Sequence, residues 1–80
     1  MTAQERRYEI VVQARVDGRW FRDYEDVEIV ALAAGRTAIV VTLRDQAALH
    51  GFLTQVRDLA LPLLLVRELT PGPDPGRNEP

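Results

Sequence analysis

Apolar and polar side chains alternate between residues 8 and 16. Tyr8, Ile10, Val12, Ala14 and Val16 take one side, Glu9, Gln13 and Arg15 the other, and only Val11 breaks the pattern. A period of two marks a strand with one buried face, and Asp17-Gly18 after it predicts a turn. A second alternating run covers residues 27–33, and a third, rich in β-branched residues, covers 37–43. Ala34-Gly35-Arg36 between them reads as a short hairpin turn. The period then changes. Leu49, Phe52, Leu53, Val56 and Leu59 recur at helical spacing, behind an Asp45 placed to cap the first turn, which predicts a helix over 46–59. Leu61 opens a last apolar run ending near Leu69, with Pro62 suited to the first position of a strand. Residues 19–26 read either as a hairpin strand or as a loop, and they hold three of the five aromatic side chains: Trp20, Phe21 and Tyr24.

These elements predict an α+β domain over residues 8–70, with element order β-β-β-α-β. The expected sheet is four-stranded and mainly antiparallel, in the order 3-2-1-4, with one helix packed on one face. Residues 1–7 are polar and expected to be flexible. Residues 71–80 carry four of the five prolines and no apolar periodicity, the composition of a disordered tail.

One helix covers one face of such a sheet, so the other face of an isolated domain should be polar. Here the alternating runs are apolar on both sides. Val30, Leu32, Val40, Leu64 and Val66, or their apolar neighbours, are left for the second face. A contiguous patch of that kind is unusual on a soluble monomer. It predicts a partner surface, with a second copy of the chain as first occupant and a different protein or a small apolar ligand as the others. Coverage by the aromatic 20–24 segment is the alternative. Roughly 60 foldable residues supply a core worth only about 3–5 kcal/mol, which also favours a partner.

Composition removes several kinds of chemistry. The chain has no Ser, Cys or Lys and a single histidine, His50. Serine and cysteine nucleophiles, Schiff-base lysines and one-chain zinc sites rich in His or Cys are thereby excluded. No glycine-rich phosphate loop occurs, and neither a metal nor a cofactor is expected. All ten basic residues are arginine, mixed with twelve acidic ones for a net charge of −2, so nothing points to nucleic acid. Asp23, Glu25, Asp26 and Glu28 match no calcium-loop spacing and read as a solvated acidic surface. No apolar run approaches the length needed to span a bilayer and no signal peptide is visible, so a cytoplasmic location is expected.

His50 flanks the buried stripe of the predicted helix. It is either a boundary side chain or a general base drawing on Asp45, Asp58 or an acid of the 19–26 segment. Trp20, Phe21 and Tyr24 form either a satellite core cluster or, with His50, a site for a small apolar or aromatic ligand. The helix and last strand carry a recognisable string: Asp45-Gln46-Ala47-Ala48-Leu49-His50-Gly51-Phe52-Leu53, then Val56-Arg57-Asp58-Leu59 and Leu61-Pro62-Leu63-Leu64. It resembles a group of short uncharacterised bacterial proteins sharing the pattern D-Q-A-A-L-H-G-x-L-x-x-[IV]-R-D-L-x-L. Where those proteins often place a glycine after a loop aromatic, this chain has Tyr24-Glu25-Asp26. The resemblance implies a bacterial origin and a shared fold, and no activity. The expected function is a non-catalytic, homo-oligomeric or protein-interaction module. A small-molecule-binding module and a small acid–base enzyme centred on His50 are the alternatives.

Overall fold

The computed structural model describes residues 5–69. The expected disordered tail, and the first four residues of the expected flexible start, lie outside the described residues. Four strands form one sheet: β1 (Arg6–Val12), β2 (Val27–Ala31), β3 (Thr37–Leu43) and β4 (Leu63–Leu69). A 3-10 turn, Gly18–Phe21, lies between β1 and β2, and the one α-helix among the described residues, α1 (Gln46–Asp58), lies between β3 and β4. The α+β class, the four-stranded sheet and the lone helix are as the sequence predicts. Arg6 and Arg7, expected in a flexible start, belong to β1.

The strand order is β2-β3-β1-β4, and every neighbouring pair is antiparallel. This corrects the expected order 3-2-1-4. β1 pairs directly with β3, Ile10 opposite Ile39, and β2 is moved to the edge. Two features explain the difference. The connection from Gln13 to Asp26 is far longer than the two to five residues of a tight hairpin, so β2 need not lie beside β1. In addition, β1 and β3 carry the most apolar inward faces and take the centre, where Ile10, Val12, Ile39 and Val41 are fully buried. The result is two interleaved split β-x-β crossovers, the ferredoxin-like connection pattern, with its first helix reduced to one 3-10 turn.

Asp45 caps α1 as predicted, its Oδ1 accepting from the Ala48 N–H at 2.8 Å. Leu49, Phe52 and Val56 are buried on the sheet, whereas Leu53 is half-buried and Leu59 exposed. The helix ends in a paired motif. The Ala60 N–H donates to the Arg57 carbonyl at 2.8 Å and the Leu61 N–H to the Val56 carbonyl at 3.2 Å. Val56 and Leu61, which pack in the same core cluster, are both buried. These are the bonds of a Schellman cap, with Pro62 barring any continuation. The 3-10 turn is capped by Asp17, which accepts from the Arg19 N–H at 2.9 Å. The Arg19 guanidinium hydrogen-bonds the same carboxylate and lowers its pKa from the usual 3.8 to about 2.

Candidate functional site

The aromatic segment divides on folding. Phe21 is buried and stacks on Phe52 with ring centroids 5.0 Å apart, and Tyr24 meets the same ring edge-on at 4.9 Å. Both therefore complete the core beneath the shortened crossover. Trp20 is 41% exposed, with its carbonyl accepting from the Gln55 side chain at 2.8 Å. Phe52 and Gln55 put this cluster on one flank of α1. His50 is on the opposite flank, exposed, with Leu53, Thr54 and Arg57. The structure thus does not bring His50 together with Trp20, Phe21 and Tyr24.

His50 instead borders a groove of about 560 Å³ between α1 and the start of β4, walled by Leu53, Val56, Leu61 and Leu63. Arg57 and His50 are the groups there able to meet an anion. Among the described residues no carboxylate forms an ion pair with Arg57, and nothing hydrogen-bonds the His50 imidazole. No group of three or more His, Cys, Asp or Glu side chains able to hold a metal ion occurs among the described residues. No helix among them is long and apolar enough to cross a membrane.

The groove exists because the helix stops short of β4. That strand is uncovered along most of its length: Leu63 and Leu64 are each 49% exposed, Leu65 43% and Val66 38%. It is also an edge strand of the sheet, hydrogen-bonded among the described residues only to β1. Val66 lies opposite Ile10, on the helix side of the sheet, and Leu65 lies opposite Val11 on the open side. Leu64 is the extra residue where the pairing skips from Val11–Leu65 to Val12–Leu63, a β-bulge. The register aligns Val30, Ala38, Val11 and Leu65 in one apolar row across the open face, with Leu32 exposed just past the end of β2. The next row is Glu28, Val40, Glu9 and Arg67, where Arg67 bonds Glu9 at 2.5 Å.

The five residues expected to form one second-face patch therefore separate, with Leu32 just past the end of β2. Val30 and Val40 lie on the open face, and Leu64 and Val66 lie along the free edge of β4. Leu63 and Leu65, which the sequence reading covers only as apolar neighbours of those five, make up the other half of that edge. The sequence signal for this edge is the unbroken apolar run Leu63-Leu64-Leu65-Val66.

A family model described as a domain of unknown function, DUF8691, matches residues 7–67. The chain belongs to the DUF8691 family. The match begins within β1 and ends at Arg67 in β4, so it takes in parts of β1 and β4 and all of β2, β3 and α1. An uncharacterised family is what the resemblance implied. No curated protein and no solved structure matches this DUF8691 chain.

Proposed function

We propose that this domain is a non-catalytic, self-associating interaction module. The observation that carries the reading is the apolar stretch Leu63–Val66, exposed on a strand with one unpaired edge. A long, flat, hydrophobic edge is a template for another strand, and soluble proteins normally blunt it with charge, proline or a covering loop. Here two features blunt β4 in part: the bulge at Leu64, and the charged pair Arg67 and Glu68 at its far end. The apolar half keeps its exposure.

The lack of Ser, Cys and Lys leaves few nucleophiles, and among the described residues the exposed His50 has no orienting carboxylate of the kind general-base catalysis uses. A small core gains most from association, because burying one leucine contributes about 1.5–3 kcal/mol.

Light scattering on a size-exclusion column tests the reading across a dilution series reaching the low micromolar range. A mass at least twice the 9.0 kDa chain is expected at the concentrated end. A single-chain mass at every concentration defeats it.

A further inference from the structure

Resting on the self-association just proposed, we infer where the second copy binds: it adds its own β4 antiparallel to this one, joining two four-stranded sheets into one continuous sheet across a two-fold axis at Leu65. Three surfaces compete for the second copy, and charge separates them. Stacking two open faces would bury the Glu9–Arg67 pair and Glu28 beneath a second sheet, and desolvating such charges is costly. The β2 edge is five residues long and carries Glu28, with Glu25 and Asp26 immediately before it, so two copies meeting about Ile29 would set Glu28 and Asp26 of each against the apolar Val30 and Leu32 of the other. The β4 edge is seven residues long, with no lysine and no proline. Its two charges are already answered within the chain, Arg67 by Glu9 and Glu68 by Arg6 at 2.8 Å. What remains is neutral and apolar, a surface matched by an identical strand.

The register follows from the same side chains. Facing residues of an antiparallel pair lie on the same side of the sheet, so the axis must pass through a residue. With Val66 on the axis, Leu65 would face Arg67 of the second copy and Leu64 would face Glu68. With Leu65 on the axis, Leu65 faces itself and Leu64 faces Val66, so apolar meets apolar through the centre. Of the two, only the second keeps charge off Leu64, Leu65 and Val66; it sets Leu63 at the margin against Arg67, whose charge Glu9 already answers, while an axis at Leu64 would centre the pairing on the bulge.

The chain has no cysteine, so single-cysteine variants report the geometry cleanly. Across an antiparallel pair facing Cα atoms are about 4.5–5.5 Å apart, within the roughly 4.4–6.8 Å a disulfide spans. The two copies of Val30 would be seven strand spacings apart, about 34 Å at ~4.8 Å each. Under mild oxidation Leu65→Cys is expected to give a covalent dimer and Val30→Cys none. In parallel, Val66→Lys, on the helix side of the edge, is expected to abolish the dimer, while Val30→Lys on the open face leaves it intact; circular dichroism checks that each variant folds. A wild-type dimer that cross-links through Val30→Cys, fails to do so through Leu65→Cys, or survives Val66→Lys overturns the β4 pairing while leaving self-association standing. A monomeric wild type removes both.

Discussion

Two alanines carry a backbone conformation that alanine rarely adopts. Ala34 has φ 63° and Ala60 φ 59°, both in the left-handed region, where a Cβ crowds the following carbonyl at a cost of roughly 1–2 kcal/mol. At Ala60 the conformation is imposed by the helix cap, whose two hydrogen bonds form only if the residue after Leu59 turns left-handed. Glycine is the usual occupant. Ala60→Gly should therefore stabilise the domain by about 0.5–1 kcal/mol and raise the melting temperature by several degrees. An unchanged or lower midpoint in a thermal melt would show that the alanine methyl, which borders the groove, contributes more than its strain costs. Residue-scale features differed in legibility for this reason. Asp45 announces its cap because its carboxylate is the group doing the capping. Ala60 announces nothing, because an alanine in a helical run looks like one more helix former and the turn is dictated by Pro62 and by burial of Leu61.

Among the elements, the 3-10 turn replaces a whole helix, and its contribution passes through one side chain. Phe21 is 1% exposed and seals the core against Phe52, whereas its neighbour Trp20 faces solvent. Phe21→Ala should cost about 3–5 kcal/mol, which is comparable with the whole stability of a core this small. Trp20→Ala should stay within about 0.5 kcal/mol. Urea unfolding of the two variants checks the contrast, and equal midpoints would mean that the turn is not part of the core. The sequence placed the aromatics together without saying which one points inward, since residues 19–26 have no clear period to assign faces. The same gap hid the strand order. Local alternation located β2, β3 and β4 to within two residues but carried β1 on to Val16, whereas the strand runs Arg6–Val12; which strands pair depends on how residues 13–26 travel. A capped turn that buries one aromatic is a tertiary event.

For the molecule as a whole, the free β4 edge and the small core are two sides of one question. Association that involves only the folded state stabilises it by mass action, so the melting temperature should rise with protein concentration. Differential scanning calorimetry over a wide concentration range checks this, and a constant midpoint would mean that the monomer alone sets the stability. A second apolar surface was legible from composition and alternation. Its division between the open face and the β4 edge was not, because bulge and register decide which leucines face outward. The sheet order has a further consequence, for the course of synthesis. β1, the first strand made, is a central strand, and one of its neighbours, β4, is the last. Strand contacts here join residues far apart in the chain, such as Arg7 with Leu69, and such closures slow folding. The emerging chain cannot build its sheet progressively from the N-terminus. β1 keeps an open flank until β4 leaves the ribosome, and the shape is closed by its final strand.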